Sequence, residues 1–358
     1  MANELTLAVA GGRKTQGLID HCAGLSDNQR VLVVTFTRNN QEEIKRRLSK
    51  YAGQKQTVIV MGWYTFLIRD FVKPFIPFKF YGERVRGFNF EGRPYLKASG
   101  KNRFLDKHNA LYACELARIS FELIALSQGS LMSRLESIYD EVLIDEVQDL
   151  SGYDFDILDC LLKSSIRVKM VGDIRQAVLS TNPRAAKNKK YAYSQAMHWF
   201  MQRQSAGLLS ITQQSVTWRC HSHIAQFSDS IFHEEWGFPK TTSRNTSNTG
   251  HDGVCLLHPN QLDEYIRVFS PTCLRDSSRS GKEYAIDFIN FRVAKGMSFH
   301  RVLIMPTAGI VAFLQQGALL EPLAACKFYV AVTRAEQSLA ILVKNVTCSS
   351  LDYWDGKS

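Results

Sequence analysis

The residues best suited to chemistry are Asp145 and Glu146, two adjacent acids that end the apolar run Val142-Leu143-Ile144 and are followed by Val147-Gln148-Asp149. A short apolar run of this kind reads as a buried strand, and α/β proteins bind ligands beyond the carboxyl ends of their strands. Asp145 suits holding a magnesium ion, directly or through water. Glu146 suits orienting and deprotonating a water molecule. Two acids after a strand also suit a helix-capping loop.

A second candidate lies at the start of the chain, in Ala8-Val9-Ala10-Gly11-Gly12-Arg13-Lys14-Thr15. Backbone N–H groups at a strand-to-helix turn point at bound phosphates, and the helix dipole favours an anion there. Gly11, Gly12 and Arg13 would line such a turn, Lys14 would reach the β- and γ-phosphates, and Thr15 would ligate magnesium. The usual phosphate loop has glycine just before the lysine, where this chain has Arg13. The alternative is a plain strand–turn–helix.

The run Val168–Gln176 (VKMVGDIRQ) ends a further strand and offers Gln176, an amide able to sense a γ-phosphate. Arg219, in Trp218-Arg219-Cys220, and Arg334, in Tyr329–Ala335 (YVAVTRA), are candidates to neutralise charge on a transferring phosphoryl group. Gly296, in Ala294-Lys295-Gly296-Met297-Ser298, sits in a turn before a strand and suits contact with phosphate or a nucleic-acid backbone. Each also reads as an ordinary loop or a solvated arginine.

The elements that must position these residues are short apolar runs alternating with helix-like segments: Leu5–Ala10, Val31–Phe36, Thr57–Met61, Val142–Ile144, Val168–Val171, Leu208–Thr212, Val254–Leu257, Val302–Met305 and Leu339–Val343. This alternation predicts an α/β fold with parallel sheets covered on both faces. The chain divides near 200–208, giving a first domain over 1–205 and a second over 206–358, with a basic and aromatic insertion at about 67–140 in the first.

In its order of motifs the sequence resembles the UvrD/Rep-like branch of superfamily 1 helicases. AGGRKT resembles motif I, Val31–Leu48 motif Ia, GWYTF (Gly62–Phe66) motif Ib, LIDEVQD motif II, VGDIRQ motif III, WRC motif IV, AKGMSF motif V and YVAVTRA motif VI. The resemblance implies two RecA-like P-loop domains with ATP and Mg2+ in the cleft between them, and ATP-driven helicase or single-strand DNA translocase activity. It assigns Lys14 and Thr15 to phosphate and magnesium, Asp145 to magnesium, Glu146 to the catalytic base, Gln176 to γ-phosphate sensing, and Arg219 and Arg334 to the arginine fingers. It also implies strand binding by Thr35, Phe36, Trp63, Tyr64 and Phe66; Trp63 and Tyr64 read equally as core aromatics.

Several departures stand out. The adenine-reading glutamine motif is expected to be absent ahead of the first strand, Val9 and Arg13 stand where the family has loop glycines, and Ser298 stands where motif V usually has glutamate. Little room remains between Arg219 and Lys295 for a second accessory subdomain. The alternative reading is therefore a nucleotide-responsive DNA-binding subunit with weak hydrolysis that partners a nuclease in an anti-phage complex.

The basic composition favours a polyanionic partner, nucleic acid or an anionic membrane surface, or marks a merely basic protein; the resemblance implies single-stranded DNA or RNA. The 358 residues carry a net charge of +10, and ten Lys or Arg face four Asp or Glu between Arg69 and Lys107. A second basic group is Arg184, Lys187, Lys189 and Lys190. The eight cysteines form no C-x-x-C pair, which argues against a zinc ribbon or thioredoxin-type site. No stretch approaches the roughly 18 apolar residues of a membrane span, and the expected setting is cytoplasmic.

Overall fold

The computed structural model describes residues 3–51, 57–182, 186–344, 346 and 349–356; Arg184 and Cys348 lie outside them. Two parallel sheets dominate. The first has six strands, in the spatial order Val58–Gly62, Val31–Thr35, Glu141–Ile144, Arg167–Gly172, Asn3–Ala8 and Leu209–Gln214. All its pairings are parallel. The central strands Val31–Thr35 and Glu141–Ile144 are buried at every residue, as expected where helices cover both faces.

The second sheet has five strands, ordered Gly253–Leu257, Ala335–Leu342, Phe299–Met305, Thr272–Arg275 and Phe288–Asn290, again all parallel. The fold is thus α/β with two RecA-like halves. Each sheet has its own apolar core. Leu5, Leu32, Val142, Ile144 and Met170 lie in the first, and Leu256, Leu274, Val302, Ile304 and Ile341 in the second.

The sequence reading ended the first half at residue 205, and the structure corrects this. Leu209–Gln214 pairs with Asn3–Ala8, from Asn3 opposite Leu209 to Ala8 opposite Gln214, so the first sheet continues past that boundary. The strand is an edge with exposed polar residues, which is why its hydropathy did not tie it to the buried first strand.

The insertion packs onto the first core. Phe75, Phe80, Phe104, Leu111, Leu116 and Ile119 are buried there, whereas Phe78, Tyr81, Phe90 and Tyr95 are exposed. Among its cations, Arg69, Lys79, Lys101 and Arg103 are held in ion pairs with Asp70, Glu122, Glu83 and Glu115. Among the described residues, Cys114, Cys160, Cys220, Cys255, Cys273 and Cys326 form no disulfide. No helix among the described residues is long and apolar enough to cross a membrane.

Candidate functional site

Parallel pairing puts the carboxyl ends of the first sheet's strands on one edge, so Ala8, Ile144 and Gly172 all empty into the same region. The second sheet meets this region with the opposite ends of its strands: Ser298 precedes Phe299, and Arg334 precedes Ala335. Between them lies a cavity of about 630 Å3. Gly11, Gly12, Arg13, Lys14, Thr15, Asp145, Glu146, Gln176, Arg219, Gly296 and Arg334 line it. The structure therefore gathers every residue that the sequence reading assigned to phosphate, metal or catalysis.

The glycines of the turn are sterically required. A Cβ on Gly11, whose φ is +75°, would lie 2.7 Å from Arg219 Cβ, and one on Gly12 would lie 2.9 Å from the Val9 carbonyl oxygen. Arg13 takes the left-handed conformation at φ 56° and ψ 30°. In a residue with a Cβ this costs on the order of 1–3 kcal/mol and is typical of functional sites. Its guanidinium carbon sits 3.9 Å from the centre of the Trp218 ring. Lys14 opens the helix Lys14–Gly24, and its ammonium donates to the carbonyls of Ala8 at 3.3 Å and Val9 at 3.5 Å.

Glu146 is also left-handed, at φ 56°, and its backbone N–H donates to Asp145 Oδ1 at 3.0 Å. Gln148 donates its side-chain amide to Glu146 Oε2 and accepts from the Asp173 N–H at 3.1 Å. Lys295 reaches across from the second half, 2.8 Å from Asp149 Oδ2 and 3.4 Å from Glu146 Oε2. Burial pushes Asp145 up to about 7, with Glu146 adding to the effect and Lys14 opposing it. Burial also acts on Glu146, but Lys295 and Lys14 outweigh it and hold that carboxyl below its ordinary range. The two acids are thereby set apart: Glu146 stays ionised while Asp145 has its charge disfavoured until a cation arrives.

Arg334 is buried and makes four hydrogen bonds: to Val330 O at 2.9 Å, Met297 O at 3.0 Å, Gln176 Oε1 at 3.2 Å and Thr333 Oγ1 at 3.2 Å. Burial and the neighbouring Arg219 push it down to about 9, which still leaves it charged at neutral pH. Gln176 in turn donates to Asp173 Oδ2 at 2.8 Å. Tyr329 joins the same network, donating to Asp173 Oδ2 at 3.3 Å and accepting from the Ala10 N–H at 3.2 Å. Hydrogen bonds therefore connect Gln176, Arg334 and the turn at Ala10.

The donor set fits a polyphosphate with a divalent cation. Arg13, Lys14, Arg219 and Arg334 surround a polar cavity, and Thr15 and Asp145 face the same space. Among the described residues there is no group of three or more His, Cys, Asp or Glu able to cage a metal. A cation here would share Asp145 and Thr15 with ligand oxygens and water, the arrangement magnesium favours.

The strand-binding expectations divide. Phe36 and Tyr64 line a second cavity of about 250 Å3, beside Thr37, Leu179, Ser180 and Asp149. Thr35 and Phe66 are buried at 0% exposure, whereas Trp63, 1% exposed, lines the same cavity as Phe36 and Tyr64. Trp63 Nε1 donates to Asp154 at 2.7 Å, which fixes the orientation of its ring, and Phe66 packs edge-on to Phe71. An aromatic run reads alike in sequence whether it faces core or solvent. Asn40, Trp218 and Glu336 also line the first cavity, and Lys295, expected from its Lys-Gly turn to contact phosphate or a nucleic-acid backbone, pairs with Asp149 and Glu146.

Residues 93–195 match the family model described as the UvrD/REP helicase N-terminal domain. Two similar solved structures are the Arterivirus nonstructural protein 10 (helicase) in complex with DNA and the same Arterivirus protein in a second crystal structure. They are 14% and 16% identical, both with a TM-score of 0.47 over 95% of this chain. The chain spans about three fifths of their length, 61% and 59%. No curated protein matches the sequence. The carboxylate pair Asp145–Glu146 lies inside the segment that is similar to the UvrD/REP helicase N-terminal domain.

Proposed function

We propose that the protein is an ATP-hydrolysing motor of the helicase type that acts on single-stranded DNA. One observation carries the reading: Lys14, Thr15, Asp145, Glu146, Gln176, Arg219 and Arg334, drawn from both halves of the chain, line one cavity. Bound magnesium would withdraw charge from the phosphates. Glu146 orients the attacking water and takes its proton, a role supported by its low-lying carboxyl and its fixed hydrogen bond from Gln148. Arg219 and Arg334 supply positive charge from the far wall, and Gln176 links that wall to Asp173.

The strand is proposed to lie against Phe36 and Tyr64, where a base stacked on an aromatic gains roughly 1–3 kcal/mol whatever its sequence. Asp149 lines that second cavity and shares Lys295 with Glu146. Lys295 thus forms a charged link between the strand and nucleotide sites. The exposed Phe78, Tyr81, Phe90 and Tyr95 and the surrounding cations of the insertion extend the proposed binding surface. The proposed domain division keeps a nucleotide-binding first half and an arginine-bearing second half, with the crossing placed after Gln214.

The test is a filter or anisotropy titration with an unstructured oligonucleotide, in parallel with ATP turnover. Binding of the strand by the wild type, abolished by Phe36→Ala and Tyr64→Ala together, supports the reading. Strand affinity unaltered by that double substitution contradicts the proposed path.

A further inference from the structure

Trp218 is 50% exposed and lines the same cavity as Lys14, Thr15 and Arg219. The guanidinium of Arg13 lies over its ring at 3.9 Å. Two features show that this is a placed interaction. Arg13 makes it from a left-handed backbone in the turn before Lys14–Gly24, and the Trp218 backbone N–H donates to the Gly11 carbonyl at 3.2 Å, which ties the tryptophan to the same turn. No carboxylate pairs with Arg13 among the described residues, so its charge is available to a ligand.

This stacking sets a condition on what can enter. A flat aromatic ligand that stacks on the indole face covered by Arg13 must lift the guanidinium away and forfeit the cation–π attraction. A bare nucleoside offers the guanidinium nothing in return. A nucleotide carrying a phosphate chain does, because its phosphates lie on the turn that bears Arg13, and a guanidinium binds phosphate strongly.

We infer that Arg13 is a displaceable cap on Trp218 that makes the cleft select nucleoside polyphosphates over nucleosides. The inference rests on the cleft being a nucleotide site. It makes Arg13 a specificity-determining residue, and it gives a physical role to an arginine standing where a glycine would relax the backbone.

The experiment is calorimetric titration of the whole chain with three probes: ATP with magnesium, inorganic tripolyphosphate with magnesium, and adenosine. The proteins are wild type, Arg13→Asn, Trp218→Ala and the double variant. Asparagine tolerates the left-handed backbone and removes the cation; Arg13→Gly is the second variant and must move in the same direction. With Arg13→Asn, adenosine binds about three- to tenfold tighter and tripolyphosphate weakens by a similar factor, so the preference for ATP over adenosine falls. Adding Trp218→Ala removes the adenosine gain. If ATP and tripolyphosphate bind the wild type and the preference is the same in Arg13→Asn, the cap is overturned and the nucleotide site stands. An adenosine gain that persists without Trp218 overturns the cap as well. If neither ATP nor tripolyphosphate binds the wild type, the nucleotide reading fails and the cap with it.

Discussion

Lys295 and Asp149 form an ion pair at 2.8 Å across the cleft between the two sheets, and the same ammonium lies 3.4 Å from Glu146. Asp149 is 2% exposed. Burial pushes its carboxyl up to about 6 despite Lys295, and Lys295 itself is held above its ordinary value because Glu146 and Asp149 outweigh its own desolvation. Lys295→Met leaves two acids buried without their counter-charge, so it should lower stability by about 3–5 kcal/mol. Urea unfolding of wild type, Lys295→Met and Lys295→Met with Asp149→Asn measures this, and the double variant should regain part of the loss. Stability within about 0.5 kcal/mol of wild type in the single variant would show that the pair is not maintained in solution.

A pH effect follows from Asp154. Its carboxylate accepts from Trp63 Nε1, the Thr181 hydroxyl and the Ser151 N–H, yet complete burial outweighs these donors and raises it from 3.8 to about 6. A carboxyl whose pKa is raised by folding favours the folded state below its unfolded value. That contribution is lost as pH rises through the folded value. Between about pH 4 and 7 the wild type should therefore lose stability from this group while Asp154→Asn does not. The difference in urea midpoint should shift toward the variant as pH rises, and a constant difference across that range contradicts the assignment.

The phosphate-side turn gives a steric prediction with its own control. Gly12→Ala sets a Cβ 2.9 Å from the Val9 carbonyl oxygen, so the turn must shift and ATP affinity should fall at least tenfold. Gly17 lies in the helix Lys14–Gly24 with nothing within 4 Å of its virtual Cβ. Gly17→Ala should raise stability by roughly 0.5–1 kcal/mol and leave nucleotide affinity unchanged. Calorimetric titration with ATP and urea unfolding read the two effects.

Salt dependence tests the insertion. Replacing Arg84, Arg86, Arg93 and Lys97 by glutamine should reduce the slope of log affinity against log salt by about 0.7 for each phosphate that is no longer neutralised. These four are chosen because Arg69, Lys79, Lys101 and Arg103 already serve acids within the fold. An unaltered slope removes the insertion from the strand path.

That Lys14, Asp145 and Gln176 meet at one cavity was legible in the sequence, because buried parallel strands are continuous apolar runs and their carboxyl ends share one edge. The strand side was less so. Trp63, Tyr64 and Phe66 share a segment, and only packing shows that Phe66 faces the core while Trp63 and Tyr64 border the second cavity. Leu209–Gln214 was placed with the wrong half because a polar edge strand carries no hydropathic trace of its partner. The pairing of Lys295 with Asp149 joins residues far apart in the chain, and nothing local to either announces it.

If Glu146 activates water in a cleft coupled to a nucleic-acid strand, phosphate release from ATP is the most direct measurement of it. Rates are measured with magnesium, with and without unstructured single-stranded DNA, for wild type and Glu146→Gln. Hydrolysis by the wild type should be stimulated by DNA. With Glu146→Gln, ATP binding should be retained while the rate falls by about 10²–10⁴, the usual worth of a positioned general base. A wild type that binds ATP without turnover, or a Glu146→Gln variant as fast as wild type, would contradict this role for Glu146.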